Sequence, residues 1–257
     1  MYDSSVNSVS VNWNRPPGTL TLSEGEIHVW RIALDDPALK PEDLFKDILS
    51  EEEKQRAVRL RFPEYRNKFI NARGCLRKIL GNYLSTHPKE IVFEYNEYGK
   101  PAIPAESNPD EIKFNLTHSR NLALCAVAKK SDVGIDVEFV RHMMRPDRIL
   151  ERFFSENERE LYNSRPETMK IRAFFKLWTI KEAYSKALGT GFTSRLKGAD
   201  LSSVLRDASS ACVLVSLREG EGKWSILQIA PDGEHIGALA LRGEMKRISY
   251  FLADQSE

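Results

Sequence analysis

The order of secondary-structure patterns repeats once along this chain of 257 residues, and the repetition restricts the folds it can adopt. Residues 26–34 alternate like a strand, and apolar spacing predicts a long helix over about 64–84. Apolar strands are predicted at 122–128 and 133–140. A second amphipathic helix over 172–188 then precedes further strand-like segments in the last third of the chain. The sequence therefore predicts an α+β fold, with one continuous mixed sheet covered by helices as the alternative.

A polar step at 129–132 separates the two apolar strands, and we place the boundary between two halves of the chain there. The first 25 residues are rich in serine and are interrupted by Pro16 and Pro17, which is typical of a loosely packed arm. The predicted organisation is therefore an N-terminal arm at 1–25, an N-terminal α+β half at 26–130 and a C-terminal α+β half at 131–257.

Composition excludes several classes of protein. With 38 Lys+Arg against 37 Asp+Glu and 41% hydrophobic residues, the chain has the composition of a soluble globular protein rather than a disordered one. No uncharged apolar run approaches the roughly 20 residues of a membrane helix, and the N-terminus lacks the pattern of a secretory signal. Three widely spaced cysteines favour reduced thiols over disulfides. We therefore expect a cytoplasmic protein with no membrane partner.

The motif GIDVE at 134–138 is the first candidate for chemistry. Side chains alternate along a strand, so Asp136 and Glu138 are expected to point to the same face. Two neighbouring carboxylates repel each other unless a cation or water lies between them, and a hard divalent ion fits such a pair. Taken alone, two acids at this spacing are more often the solvated face of a half-buried strand.

A stripe of side chains along the predicted second helix strengthens the metal interpretation. Residues at every fourth position form it, namely Phe174, Trp178, Glu182 and Lys186. The alternative for this face is core aromatics with an exposed Glu–Lys pair, but the opposite stripe is apolar and looks more like the core. Glu182 is predicted to join Asp136 and Glu138 around one magnesium ion that also binds substrate phosphates. Lys181 and Lys186 would then neutralise the charge of those phosphates.

Two further segments are candidates for binding phosphate. The motif FNLTHS at 114–119 is interpreted as a polar turn before an apolar strand, where Thr117, His118 and Ser119 offer hydroxyl, imidazole and backbone donors suited to a phosphate. Residues 54–78 contain nine basic residues and a single acid. This excess indicates either a solvated helix face or a patch that holds phosphates.

These motifs, in this order and at these separations, resemble those of the 4′-phosphopantetheinyl transferases of the surfactin-synthetase-activating type. The resemblance rests on FNLTHS, GIDVE and FxxxWxxKExxxK, with YGKP at 98–101 upstream. It implies transfer of the 4′-phosphopantetheine arm of coenzyme A to a serine of an apo acyl or peptidyl carrier protein, with release of adenosine 3′,5′-bisphosphate. It also implies a pseudo-dimer of two similar α+β halves in one monomer, with coenzyme A and magnesium in the cleft between them.

The resemblance also assigns roles to individual residues. The implied metal ligands are Asp136, Glu138 and Glu182, and the implied catalytic residues are Asp136, Glu182 and Lys186. Coenzyme A would be held at its pyrophosphate by Lys181 and Lys186, at its 3′-phosphate by Thr117 and His118, and near its adenine by Lys100 and Pro101. Further phosphate contacts are expected from Lys68 and Arg73. The family usually has serine where this chain has Thr117, which keeps the hydroxyl. The acidic carrier protein is expected to contact apolar and basic residues that flank the cleft.

Two other functions are compatible with the same residues. A magnesium-dependent nuclease would use Asp136, Glu138 and Lys181, with residues 54–78 binding nucleic acid. Against it, the basic excess is confined to one segment of the chain, so no nucleic-acid partner is expected. A non-catalytic module that binds coenzyme A or a carrier protein would use the three carboxylates as a structural ion site.

Overall fold

A computed structural model describes residues 9–35, 45, 47–143, 146–191, 198–206, 212–216 and 222–253. Its helices are α1 (Glu51–Arg59), α2 (Pro63–Leu84), α3 (Pro146–Phe153), α4 (Glu156–Asn163), α5 (Glu167–Leu188) and α6 (Ser202–Arg206). Its strands are β1 (Val9–Ser10), β2 (Glu26–Ala33), β3 (Glu94–Tyr95), β4 (Pro101–Ala102), β5 (Ile112–Ser119), β6 (Leu122–Lys129), β7 (Val133–Phe139), β8 (Cys212–Ser216), β9 (Lys223–Ala230), β10 (His235–Arg242) and β11 (Arg247–Leu252). None of the helices in these ranges has the length and apolarity to cross a membrane.

Two sheets stack face to face in the centre of the molecule. The first sheet has the strand order β11-β2-β6-β5, and the second has the order β1-β9-β10-β7, with β8 also paired to β9. Apolar side chains from both sheets fill the space between them, among them Ile27, Val29 and Leu124 from the first sheet and Ile135 and Val137 from the second. The fold is thus α+β, as predicted. Its two stacked sheets differ from the single continuous mixed sheet that was considered as the alternative.

Each sheet is covered on its outer face by one long helix. Leu76 of α2 packs in the same core cluster as Trp30 of the first sheet. Tyr184 of α5 packs edge-on against Trp224 of the second sheet, with ring centroids 5.1 Å apart. Both helices are 22 residues long. The molecule therefore has four layers, in the order helix, sheet, sheet, helix.

The two ends of the chain cross between the sheets. Strand β1 pairs in parallel with β9, and β11 pairs in parallel with β2. Between these strands, the backbone amide of Asn14 donates to the carbonyl of Tyr250 (3.0 Å), and the indole of Trp13 donates to the carbonyl of Pro231 (3.0 Å). Residues 9–14 of the predicted arm therefore contact both sheets, while residues 1–8 lie outside the described residues, and the arm at 1–25 stays a prediction. A division near residue 130 stays a prediction. Strands β1 and β11 each pair with a strand from the other side of that division.

Candidate active site

The motif FNLTHS is part of a strand rather than the turn that its polar residues suggested. It forms the end of β5, which lies at the edge of the first sheet and faces β7 at the edge of the second. The Asn115 side-chain oxygen accepts a hydrogen bond from the amide of Ile135 (2.9 Å), and the Ser119 hydroxyl accepts one from the amide of Phe139 (3.0 Å). Alternate side chains of β5 thus satisfy backbone donors at the edge of β7, where none of the described strands pairs with it. These contacts fix β7, and with it Asp136, beside β5.

Gly134 lets helix α5 approach β7 at backbone distance. A Cβ atom built on this glycine would lie 2.1 Å from the carbonyl oxygen of Ala183 and 2.4 Å from the amide nitrogen of Ala187. A larger residue fits only if the helix moves, because both neighbours are backbone atoms. The glycine of GIDVE therefore brings α5 close enough for Lys186 to reach Asp136.

Asp136 is the centre of the resulting cluster and is 4% exposed. One carboxylate oxygen accepts hydrogen bonds from Lys186 Nζ (2.6 Å) and Thr117 Oγ1 (3.2 Å), and Lys186 also donates to Thr117 Oγ1 (3.0 Å). The other oxygen is buried and has no hydrogen-bond partner among the residues that the structure describes. Burial raises the pKa of Asp136 to about 6, and the neighbouring Lys186 ammonium opposes that rise.

Glu182 and Glu138 extend the cluster of negative charge. Burial, and then the charge of Asp136, raises the pKa of Glu182 to about 7, and Glu138 adds to the rise. Glu138 accepts hydrogen bonds from Ser119 Oγ (3.2 Å) and from Arg141 (3.1 Å). The structure thus brings the three predicted carboxylates near enough to repel one another.

The chemistry of these donors fits a hard divalent cation. One buried carboxylate oxygen of Asp136 accepts no hydrogen bond from any described residue. Burial raises the pKa values of Asp136 and Glu182, as expected where the negative charge is incompletely compensated. Oxygen ligands of this kind are those that Mg²⁺ prefers. Among the residues that the structure describes, however, no three acidic, histidine or cysteine side chains converge into a preformed metal site. The Lys186 ammonium provides the positive charge beside Asp136 here.

His118 and Lys68 lie at the rim of the cluster. His118 is exposed and points away from Thr117, because neighbouring residues of a strand face opposite sides. Partial burial lowers the pKa of His118, and the charge of Lys186 and, more weakly, of Lys68 lowers it further. Lys68 of α2 therefore acts on the same region as Lys186 of α5, while its ammonium is 2.6 Å from Glu64.

Lys181 is directed away from the cluster. Its side chain is fully buried, and its ammonium lies 2.9 Å from Glu158 Oε2 and donates to the carbonyl of Ala199 (2.7 Å). One step along a helix turns the side chain by roughly 100°, so Lys181 and its neighbour Glu182 face different surroundings. The pyrophosphate contact implied for Lys181 does not match these internal partners.

Arg73 and Lys100 are also engaged with protein partners. The Arg73 guanidinium donates to Glu53 Oε1 (2.7 Å) and to the hydroxyl of Tyr95 (3.1 Å). Lys100 Nζ donates to the carbonyl of Ala187 (2.8 Å). Its neighbour Pro101 is half-buried and pairs with Tyr95 between β4 and β3. The phosphate and adenine contacts expected of these residues stay predictions.

The sequence did not show that Asn115 and Ser119 position β7, because Asn115 was given no role and Ser119 was expected to bind phosphate. The signal was present, because Asn115, Thr117 and Ser119 recur at every second position. This period is typical of a strand face, but asparagine, threonine and serine together were interpreted as a turn.

Comparison with known proteins covers most of the chain. Residues 132–240 match the family model described as "4′-phosphopantetheinyl transferase superfamily", and residues 36–130 match "4′-phosphopantetheinyl transferase, N-terminal". The 4′-phosphopantetheinyl transferase HetI of Nostoc sp. is 39% identical over 231 residues, which are 90% of this chain and 94% of that protein. The 4′-phosphopantetheinyl transferase Sfp of Bacillus subtilis is 27% identical over 214 residues, which are 79% of this chain and 93% of that protein. The 4′-phosphopantetheinyl transferase gsp of Aneurinibacillus migulanus is 36% identical over 141 residues, covering 54% and 56% of the two chains.

Proposed function

This chain belongs to the 4′-phosphopantetheinyl transferase superfamily, and we propose that it transfers the 4′-phosphopantetheine arm of coenzyme A to a serine of an apo acyl or peptidyl carrier protein. The second product is adenosine 3′,5′-bisphosphate. The observation that carries the proposal is the cluster in which Lys186 bonds Asp136 and the pKa of the neighbouring Glu182 is raised to about 7. A buried group of carboxylates beside one ammonium is suited to a metal ion and to the phosphates of a diphosphate ester.

The active site is proposed to lie in the cleft between two halves that form a pseudo-dimer. Support comes from the four layers, in which each half contributes most of one sheet and one 22-residue helix. Thr117 and Lys68 belong to the first half, whereas Asp136, Glu182 and Lys186 belong to the second. Because one chain contributes both sides, a monomer would supply the complete site.

In the proposed reaction, the serine oxygen of the carrier protein forms a bond to the β-phosphorus of coenzyme A. The bond from that phosphorus to the bridging oxygen breaks, and the oxygen leaves with the adenosine bisphosphate. Lys186 is placed to stabilise the negative charge that grows on the leaving oxygens, since its ammonium already binds the carboxylate of Asp136. A magnesium ion held by Asp136, Glu138 and Glu182 would supply Lewis-acid stabilisation of the pyrophosphate oxygens.

The serine must also lose a proton, and Glu182 is the residue best suited to accept it. Within the described part of the chain its carboxylate makes no hydrogen bond, and its pKa of about 7 matches proton transfer near neutral pH. Asp136 is less suited to this role because one of its oxygens is bound to Lys186 and Thr117. A carboxylate cannot be a tight metal ligand and a free base at once, so Glu182 is assigned first as the base and second as a ligand.

A surface at the junction of α1 and α2 matches the apolar and basic character expected of the carrier-binding region. Val58, Phe62 and Tyr65 are exposed there, with 74%, 57% and 59% of their surfaces accessible. The rings of Phe62 and Tyr65 are 5.9 Å apart, and the exposed Arg59 and Arg61 flank them. We assign this surface to the carrier protein, whose acidic side chains the arginines would attract.

Mass spectrometry of purified apo carrier proteins tests the proposed function directly. After incubation with this protein, coenzyme A and Mg²⁺, the carrier should gain the mass of one phosphopantetheine arm on its acceptor serine. Binding of coenzyme A without any mass gain would favour a non-catalytic module and overturn the proposal. A parallel incubation with DNA and Mg²⁺ should leave the DNA uncut, which separates transfer from the nuclease alternative.

A further inference from the structure

The turn between β3 and β4 is held in one conformation by its own hydrogen bonds. The side-chain oxygen of Asn96 accepts from the amides of Tyr98 (3.0 Å) and Lys100 (2.9 Å), and the amide of Asn96 donates to the carbonyl of Lys100 (3.1 Å). Gly99 adopts the left-handed conformation that the turn requires, with φ of 80°. Lys100 therefore leaves this turn in a fixed direction.

Two side chains of the turn bond the C-terminal end of α5. Lys100 Nζ donates to the carbonyl of Ala187 (2.8 Å), and Asn96 Nδ2 donates to the carbonyl of Gly189 (2.7 Å). The last carbonyls of a helix have no partner within the helix and carry its negative dipole end, so an ammonium is well matched to them. The aliphatic part of Lys100 also lies against Gly189, where its Cδ would be 3.1 Å from an added Cβ.

The same ammonium reaches the start of β7. Lys100 Nζ donates a second hydrogen bond to the carbonyl of Val133 (3.3 Å), next to Gly134, where β7 and α5 touch. One ammonium thus connects the strand that carries Asp136 to the helix that carries Lys186. Its two acceptors are the carbonyl of Ala187, one residue after Lys186, and the carbonyl of Val133, three residues before Asp136.

We infer that Lys100, supported by Asn96, is a positioning residue that holds α5 against β7 so that Lys186 reaches Asp136. This inference rests on the proposed function and goes beyond it, because the family resemblance implied a place near the adenine for Lys100. Burial lowers the pKa of Lys100 to about 8; the charge of Asp132 opposes this effect, and Lys113 and Arg242 add to it. A buried ammonium whose bonds go to two backbone carbonyls is committed to the protein rather than to a ligand.

The test compares Lys100→Met, which keeps the apolar stem and removes the donor, with the control Lys113→Met. Lys113 is a half-buried lysine whose charge acts on Lys100, so the control removes one positive charge from the same region while leaving the connection intact. We expect kcat for transfer to fall roughly 100-fold in Lys100→Met, because small misplacements of catalytic groups have effects of that size. The Kd of coenzyme A should stay within about threefold of the wild-type value, and the control should match the wild type in both.

Hydrogen exchange of the free protein provides a readout that needs no substrate. Amides of the last turn of α5 and the first residues of β7 should exchange faster in Lys100→Met and in Asn96→Ala than in the control. This measurement distinguishes failure of the present inference from failure of the proposed function, since it does not depend on transfer. A Kd for coenzyme A that rises with kcat unchanged would assign Lys100 to substrate binding instead. Unchanged exchange at both segments would also overturn the inference, and Asn96→Ala keeps the test open if Lys100→Met does not fold.

Discussion

Replacing Gly134 by alanine should separate α5 from β7 and disable the site while most of the fold is kept. The added Cβ would lie 2.1 Å from the carbonyl oxygen of Ala183, whereas ordinary contact begins at 3.4 Å. The helix must therefore move by about 1.3 Å, because both partners are backbone atoms and no side chain can rotate to relieve the overlap. Lys186 is on the same helix, so its 2.6 Å contact with Asp136 should lengthen with that movement.

The size of both effects follows from this displacement. Overpacking of a well-packed core typically costs about 1–3 kcal/mol, and a backbone-to-backbone overlap belongs at the upper end of that range. A displacement of about 1 Å in a catalytic constellation lowers turnover by roughly 100-fold. We therefore expect Gly134→Ala to lose about 3 kcal/mol of unfolding free energy and about two orders of magnitude in kcat for transfer.

Denaturant unfolding followed by tryptophan fluorescence measures the first quantity, since Trp224 packs against Tyr184 of α5. Mass spectrometry of the carrier protein measures the second. The matched control is Gly233→Ala, because an added Cβ there meets no atom of the described residues within 4 Å and the backbone has no positive φ. If Gly134→Ala proved as stable and as active as Gly233→Ala, the argument that this glycine sets the helix-to-strand distance would be wrong.

Three further outcomes are expected. Glu182→Gln should abolish transfer while leaving the thermal unfolding profile intact, and an active variant, measured by the mass of the carrier protein, would rule out Glu182 as the general base. Turnover of the wild type should rise as the pH increases through about 7, the pKa of Glu182. Burial lowers the pKa of His28 to about 4, so the stability this residue provides is complete above pH 6.5 and is lost as the pH falls through about 4. Wild-type unfolding free energy should drop by about 2–3 kcal/mol more than that of His28→Gln between pH 7.5 and 4.5, and equal pH profiles would contradict this assignment. Lys181→Met should lower the free energy of unfolding by about 3–5 kcal/mol, because it leaves Glu158 buried without its partner. The double variant Lys181→Met with Glu158→Gln should recover much of this stability and most of the transfer activity. A double variant that is stable but inactive would instead assign Lys181 to phosphate binding.

The long helices could be predicted from the sequence because their signals are local. Helix α2 begins at Pro63, one residue before the predicted start, and α5 ends at Leu188 as predicted, before Gly189. The start of α5 at Glu167 was missed by five residues because its first turn is mostly polar. Periodicity within one element thus set these boundaries to within a turn or two.

The parts that the sequence did not reveal depend on partners far away along the chain. Lys181 is paired with Glu158, which lies on another helix, so its direction could not be inferred from its place beside Glu182. Arg73 is likewise paired with Glu53 across two helices. The three carboxylates were grouped from residue chemistry alone, whereas the contact between Lys186 and Asp136 depends on how closely α5 crosses Gly134.

The exchange of β1 and β11 also determines when the protein can finish folding. In the described part of the chain, β2 is completed on one side by β11, which is synthesised 221 residues after it. Until then a nascent chain would present β2 as an open sheet edge, which invites pairing with other chains. Closure of so long a loop makes the final step slow compared with formation of the local hairpins. Truncation after β10 should therefore yield an aggregating polypeptide even though every residue of the catalytic cluster is still present.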